Sequence, residues 1–295
     1  MRVLVAGWFS FEGMGATAGD LMARDVVLAW LREASVPSDL ALAAPFAGGV
    51  DWRGVEPSNY SHVVFVCGPC GNGPPLDEFL ARFDGRSLIG IDLTMLDPLE
   101  IWNPFDLLLE RDSSATSRPD LSLLRLAPRV PVAGLILIHP QSEYGRRDLH
   151  RTANHALESL VEQTPLAVVK IDTRLDVNQT NLRNDREVEA VIAKMDVVLT
   201  TRLHGLVLAL KNGVPVVAID PVSGGGKVLR QGEVLAWPFV FEVDGLDPER
   251  LSLALAACLE PGARERAAGC AREAMRKLDD VRPRFLAALQ ILPRS

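Results

Sequence analysis

The sequence predicts an α/β fold of two Rossmann-like domains whose parallel sheets face a central cleft. Short apolar runs typical of strands alternate with segments of helical periodicity along the whole chain. The strand-like runs are continuously apolar, as in parallel strands that helices cover on both faces. At 295 residues the chain is too long for one ordinary core and suits two domains, which we place at 1–125 and 126–295.

The first half begins with the strand-like run RVLVAGW, which ends in a glycine-rich loop. A segment of helical spacing follows, ATAGDLMARDVVLAWLREA. Further strand-like runs span residues 39–43, 62–67, 87–93 and 105–109. The segment LDEFLARF predicts a helix over residues 76–83, so we expect one sheet with helices between some of its strands.

The second half repeats this rhythm more clearly. Its strand-like runs are VAGLILIHP, LAVVKID, VVLT, PVVAID and PFVFEV. Helical segments fill the gaps at about 147–162, at DREVEAVIAKM, from residue 202 and after GGGK. Two amphipathic helices close the chain, and Pro283 can kink the second of them.

Composition and charge restrict the class of protein. With 48% hydrophobic and 23% charged residues the chain is globular, and its net charge of −7 argues against binding to a nucleic-acid backbone. The apolar runs are too short to cross a bilayer, and the N-terminus runs into a glycine-rich turn instead of a cleavage site. We therefore expect a cytoplasmic protein without a transmembrane segment, in which a few local cations can still bind a small anion.

The segment TTRLHG at residues 200–205 carries the most informative polar residues. It joins a strand to a helix, where backbone N–H groups and the helix dipole favour an anion. Arg202 can add a bidentate, charge-assisted pair, and His204 can transfer a proton near neutral pH. The structural alternative is that Thr200 caps a buried helix while Arg202 pairs with a carboxylate and His204 packs in the core.

The stretch from residue 196 to 227 resembles the polysaccharide pyruvyltransferase family. The family signature is an aspartate and a hydrophobic strand, then Arg-x-His, a small residue, an apolar helix, Gly-x-Pro, a further strand and a lysine. This sequence supplies, in that order, Asp196, Arg202, Leu203, His204, Gly205, Ala209, Gly213, Pro215 and Lys227. Weaker similarity covers ERDSS at 110–114, which contains Arg111, and GATAGDLMAR, where Thr17 replaces the usual asparagine of the family.

The resemblance implies a GT-B-like fold whose last helix can pack back on the first domain. It also implies transfer of the enolpyruvyl group of phosphoenolpyruvate onto a sugar, which forms a pyruvate ketal as in cell-surface polysaccharide biosynthesis. Arg202, Leu203 and Lys227 would then bind the donor, with Arg111 as a helper. His204 would be the catalytic acid or base. We expect no obligatory cofactor and no metal, since this chemistry proceeds by proton transfer and no histidines pair with carboxylates at zinc-like spacing.

The N-terminal loop GWFSFEG is the candidate acceptor site. Trp8 and Phe11 offer faces on which a sugar can stack, and Glu12 can bind a hydroxyl group. Thr17 stands where the family's asparagine would contact the acceptor. For two neighbouring residues, Phe9 and Asp20, we favour core packing and helix capping.

Two further motifs have competing interpretations. CGPC at residues 67–70 is similar to a thioredoxin-type redox centre, but no helix can begin before Leu76, so we favour a strand-end loop with two thiols. GGGK at 224–227 is either a second anion-binding loop or a simple connection.

Two other functions remain open from the sequence. A GT-B-like glycosyltransferase or epimerase would place a nucleotide sugar at the same helix terminus. A non-catalytic binding or scaffold protein would keep the fold and lose the acceptor site.

Overall fold

The computed structural model describes residues 1–139 and 142–291. The chain divides into two compact units, Met1–Pro128 and Arg129–Ser295. Each unit contains a sheet of five strands, and neighbouring strands in both sheets are parallel. Two α/β units with parallel sheets confirm the predicted fold class, whereas their arrangement about a cleft stays a prediction.

The longer α-helix of the first unit follows its first strand. Its strands are β1 (Val3–Ala6), β2 (Ser38–Leu40), β3 (His62–Cys70), β4 (Ser87–Met95) and β5 (Leu107–Leu109). Its α-helices are α1 (Ala18–Glu33), which follows β1, and α2 (Leu76–Arg82), which follows β3. Short 3-10 helices at Trp8–Ser10, Pro57–Asn59 and Leu121–Leu124 complete the unit.

The second unit alternates strands and helices up to its last strand, and further helices follow that strand. Its strands are β6 (Val132–Ile136), β7 (Ala167–Lys170), β8 (Val197–Thr200), β9 (Val216–Asp220) and β10 (Val240–Glu242). Its α-helices are α3 (His150–Glu162), α4 (Asp185–Ile192), α5 (Leu203–Lys211), α6 (Lys227–Val234), α7 (Pro248–Leu259), α8 (Ala263–Arg276) and α9 (Val281–Ile291).

Both sheets have the same strand order. The first runs β2-β1-β3-β4-β5 and the second runs β7-β6-β8-β9-β10, so in each the first strand lies between the second and the third. The connections therefore change direction between β1 and β3 and between β6 and β8. Ligands of open α/β sheets bind beyond the carboxyl ends of the strands at such a switch point. Of the two pockets described below, that of the first unit lies at its switch point, whereas that of the second unit lies beyond the ends of β6 and β7.

A matched irregularity interrupts β3 and β4. Cys67 and Asp92 lie opposite each other, and both have left-handed backbone angles, with φ of 62° and 59°. The pairing passes from Val66 with Ile91 directly to Gly68 with Leu93, so both strands contain one extra residue at the same place. The strands consequently continue to Cys70 and Met95, beyond the predicted ends.

The C-terminal segment differs from the prediction. Up to residue 291, where the described part of the chain ends, three helices and not two follow β10, because Gly262 takes a left-handed conformation (φ 87°) and separates α7 from α8. Pro283 is the third residue of α9, within the first helical turn, where the missing N–H does not interrupt the helix. The side chains of residues 281–289 are exposed.

Candidate active site

The joint between β8 and α5 is held by Thr200. Its hydroxyl donates to the carbonyl oxygen of Ile136 at 2.9 Å and accepts from the N–H of Arg202 at 3.0 Å. Gly205 packs against it, since a Cβ on Gly205 would lie 2.9 Å from Thr200 Cβ and closer still to its hydroxyl oxygen. The strand end thus fixes where α5 begins, and Arg202 is the N-cap residue of α5.

Arg202 is bound to a buried carboxylate. Its Nη1 donates to Oδ1 of Asp172 at 3.0 Å, and Asp172 is 5% exposed. Burial lowers the pKa of Arg202, and the charge of Asp172 opposes that effect. The guanidinium still has donors that no described residue accepts, and these are available to an anionic ligand. The predicted alternative, in which Arg202 pairs with a carboxylate, is therefore correct in part.

Asp172 also binds His139. Nε2 of His139 lies 3.1 Å from Oδ2 of Asp172, the oxygen that Arg202 does not contact. Burial raises the pKa of Asp172, but the N–H groups of Arg174 and Gln179 and the neighbouring His139 outweigh it and hold the pKa below its ordinary value. The carboxylate therefore links a guanidinium to an imidazole. Neither His139 nor Asp172 is among the site residues predicted from the sequence, although both stand at the carboxyl ends of strand-like runs.

A cavity of about 520 Å³ opens beside this group. It lies at the carboxyl ends of β6 and β7 and is lined by His139, Asn154, Glu158, Lys170, Asp172 and Thr180. It contains one imidazole, one ammonium and two carboxylates, so it can exchange protons with a polar ligand.

His204 lies in the first turn of α5 and is exposed, so it is not a core histidine. Its ring makes no hydrogen bond to a residue that the structure describes. The backbone N–H groups of Leu203, His204 and Gly205 likewise have no acceptor within residues 1–139 and 142–291. Leu203 is half-buried against the core of the second unit. The start of α5 therefore presents free donors beside Arg202, as the sequence predicts for an anion site.

The glycine loop before α6 is already occupied by the protein's own carboxylates. Oxygens of the fully buried Asp220 accept from the N–H groups of Val222, Gly226 and Leu229 at 2.8–3.0 Å. Asp244 accepts from Gly224. The N–H groups of the three glycines are thus all bound within the protein, which favours the simple connection over a second anion-binding loop. Lys227 is exposed as the first residue of α6, and its contact with the donor stays a prediction.

Arg111, in the first unit, is held by an internal network. It donates to Asp120 at 2.6 Å and to Thr94 at 2.7 Å, and its Nη1 lies 3.8 Å from the sulfur of Cys67. Burial lowers the pKa of Arg111, but Asp120 outweighs this, so the pKa is raised. These bonds tie the segment after β5 to the ends of β3 and β4. Donor binding by Arg111 stays a prediction.

A second cavity, of about 630 Å³, lies at the switch point of the first unit. Trp8 and Thr17, two of the predicted acceptor residues, line it together with Asp20, Asn72 and Asp97. The indole N–H of Trp8 donates to the carbonyl oxygen of Pro69 at 2.9 Å, which fixes the ring. Thr17 caps α1 and exchanges hydrogen bonds with Asp20, as expected for a capping box.

Phe11 and Glu12 do not line this cavity. Phe11 is 4% exposed, and its ring packs against those of Trp8, Trp52, Phe65 and Phe79. The expectation that Phe11 offers a stacking face is therefore wrong, because its ring is buried in the hydrophobic core of the first unit. Glu12 is exposed.

Both thiols of CGPC are buried inside β3 and not in a loop. Burial raises the pKa of Cys67 to about 12, and Asp20 and Asp92 add to the shift. Burial likewise raises the pKa of Cys70 to about 12. Neither thiol begins a helix, so the pair lacks the environment that activates a redox cysteine.

One group among the described residues has the spacing of a metal site: Cys67, Asp92 and Asp120, with ligand atoms within 4.8 Å of one another. The guanidinium of Arg111 contacts two of these three side chains. The positive charge of this guanidinium already offsets negative charge in the group, so the three side chains are a poor fit for a resident metal.

Residues 118–223 match the polysaccharide pyruvyl transferase family. The match covers roughly a third of the chain and contains His139, Asp172, Arg202 and His204. It confirms the resemblance inferred from the TTRLHG segment and supports a transferase. Arg111 and Lys227 lie outside the matched residues. No curated protein sequence matches the chain.

Solved structures to which the chain shows some similarity include glycosyltransferases and an epimerase. The spinosyn forosaminyltransferase SpnP is 17% identical with a TM-score of 0.35, over 98% of this chain and 99% of that one. CalG4, the calicheamicin glycosyltransferase, is 13% identical with a TM-score of 0.37, over 99% of each chain. The UDP-GlcNAc 2-epimerase of Methanocaldococcus jannaschii is 10% identical with a TM-score of 0.32, over 94% and 99%. Within the described ranges, no helix has the length and apolarity needed to cross a bilayer.

Proposed function

We propose that the chain is a pyruvyltransferase that uses phosphoenolpyruvate and forms a pyruvate ketal on a sugar-containing acceptor. The observation that carries the proposal is the start of α5, where free backbone donors, a partly free guanidinium and an exposed imidazole lie together inside the segment that matches the family. Phosphoenolpyruvate carries a phosphate and a carboxylate, and both are recognised by such donors.

Arg202 is suited to the donor because Asp172 uses only part of its guanidinium. The ion pair fixes the plane of the group, and the remaining N–H donors keep their capacity for an oxyanion. A lysine in place of Arg202 could not bind Asp172 and an oxyanion with separate donors in one plane, because an ammonium group is a point charge without a planar fork.

His204 is the first residue to test as acid or base. It is two residues from Arg202 and exposed, so it can reach a ligand bound at the helix start. An imidazole gives or takes a proton near neutral pH, and such transfer typically contributes about 10²–10⁴ in rate.

The experiment measures phosphate release and the ketal methyl signal by NMR, with phosphoenolpyruvate and a panel of glycans that carry neighbouring hydroxyl groups. We expect turnover by the unaltered protein and a loss of about 10²–10⁴ in kcat for His204→Ala, with phosphoenolpyruvate binding retained. His155→Ala is the matched control, because His155 is also an exposed helical histidine of the second unit. Full activity of His204→Ala would remove His204 from the mechanism.

Thermal shift separates the proposal from the nucleotide-sugar alternative. Phosphoenolpyruvate, but not UDP- or GDP-sugars, should raise the melting temperature of the protein, since only a ligand of the native state stabilises it. Stabilisation by a nucleotide sugar alone would favour a glycosyltransferase or epimerase. Binding without turnover on any acceptor would favour a non-catalytic protein.

A further inference from the structure

The ketal reaction requires several proton transfers, which favours a second acid–base group in addition to the exposed His204. The methylene carbon of phosphoenolpyruvate gains a proton, and the first acceptor hydroxyl loses its proton as its oxygen bonds to the central carbon. The bond from that carbon to the phosphate oxygen then breaks, phosphate leaves with the electron pair and takes up a proton, and the second hydroxyl bonds and loses its proton. Two protons lost by hydroxyl groups thus equal the two gained.

We propose that His139, oriented by Asp172, is a second catalytic acid–base group of this reaction. The inference rests on the proposed function and adds a residue to it. His139 follows β6 and Arg202 follows β8, so the two lie on either side of the switch point of the second sheet. They bind opposite oxygens of the same buried carboxylate, which places the imidazole next to the guanidinium that we assign to the donor.

The geometry fixes the state of the His139 ring. Asp172 is ionised, because it accepts hydrogen bonds from two backbone N–H groups and from Arg202. Nε2 of His139 lies 3.1 Å from the carboxylate and must therefore carry a proton, which leaves Nδ1 as the atom that gains and loses one. This is the same division of roles as in a carboxylate–histidine pair of a hydrolytic triad.

The surroundings of His139 also suit proton transfer. Its side chain is 20% exposed, and it lines the cavity of about 520 Å³. The charged groups that line this cavity with it are Asp172, Glu158 and Lys170, and Arg202 binds the same Asp172. His204, by contrast, makes no hydrogen bond within the described residues and has no partner there to orient it.

The decisive variant is His139→Gln. A glutamine amide can still donate to Asp172 and so keeps the structural bond, but it cannot carry a proton. We expect kcat to fall by about 10²–10⁴, with the KM for phosphoenolpyruvate and the melting temperature close to those of the unaltered protein. His155→Gln is the control and should retain full activity.

Asp172→Asn gives a second, independent readout. ¹⁵N NMR should show the loss of a fixed Nε2–H tautomer for one histidine, because the carboxylate that accepts from Nε2 is replaced by an amide that can also donate. If His139 had only a structural role, the pH–rate profile of His139→Gln would run parallel to that of the unaltered protein.

The outcomes separate the two proposals. If the unaltered protein turns over and His139→Gln has the same kcat and pH profile, the assignment of His139 is overturned and the proposed function stands. If the unaltered protein neither binds phosphoenolpyruvate nor releases phosphate with any acceptor, the proposed function fails and this inference fails with it.

Discussion

Substitution of Gly205 by alanine tests the packing that positions the whole site. The new methyl group would lie 2.9 Å from Thr200 Cβ and 3.2 Å from Ile136 Cγ2, and it would overlap the hydroxyl oxygen of Thr200. Thr200 is fully buried and its hydroxyl holds both Ile136 and the N–H of Arg202, so it cannot turn away without loss of these bonds.

The magnitude follows from three contributions. Overpacking of a buried contact costs about 1–3 kcal/mol. Loss of one hydrogen bond of Thr200 costs about 1 kcal/mol more. The better helix propensity of alanine returns about 1 kcal/mol. We therefore expect Gly205→Ala to lower the free energy of unfolding by about 1–3 kcal/mol and to weaken phosphoenolpyruvate binding, since the start of α5 must move.

The assay is urea unfolding followed by circular dichroism, with Gly269→Ala as the control. Gly269 also lies inside a helix, but the nearest atom to a Cβ there is the flexible Nη2 of Arg272 at 3.8 Å. That variant should be more stable than the unaltered protein by up to about 1 kcal/mol. Equal stability of Gly205→Ala and Gly269→Ala would refute the packing of α5 on β8.

Two further predictions concern ionisable groups. Thiol labelling of the native protein should be fast at one cysteine, the half-buried Cys270, and should reach all four cysteines only in denaturant. The reason is that the other three are buried and have pKa values raised to about 12: Cys67, Cys70 and Cys258. Fast labelling of Cys67 in the native protein would contradict its position inside β3. Asp172 has a lowered pKa, so its contribution to stability is present above its unfolded value of about 3.9 and is lost as the pH falls further. The difference in unfolding free energy between the unaltered protein and Asp172→Asn should therefore shrink below about pH 4, and a difference that stays constant down to pH 3 would disprove this.

The sequence predicts the second unit well because the strand-like runs there stay apolar along the length of each strand. VVLT forms β8 without change, and the predicted strand-to-helix joint places Arg202 and His204 at the start of α5. His139 and Asp172 could not be identified as a pair, because 33 residues separate them and only the parallel pairing of β6 with β7 brings the two strand ends together.

The first unit was harder to predict because the alternation of its central strands changes partway. Before the irregularity, Val63 and Phe65 face one core and Val64 faces the other. After it, Cys70 faces the core of Val63, although an unbroken alternation would place it with Val64. A pattern with a period of two therefore ends at Cys67, and nothing in the sequence indicates that the strand continues beyond that residue.

The same irregularity restricts how the gene can change in length. Deletion of Cys67 or Asp92 alone would slip one strand by a residue against its neighbour. Deletion of both would restore the pairing but turn Cys70 and Met95 away from the core in which they are buried. Neither codon can be lost, singly or together, without damage to the sheet, whereas exchange of either residue for glycine suits the left-handed backbone. In relatives of this chain, gaps should therefore be absent at these two positions and glycine should be a frequent replacement.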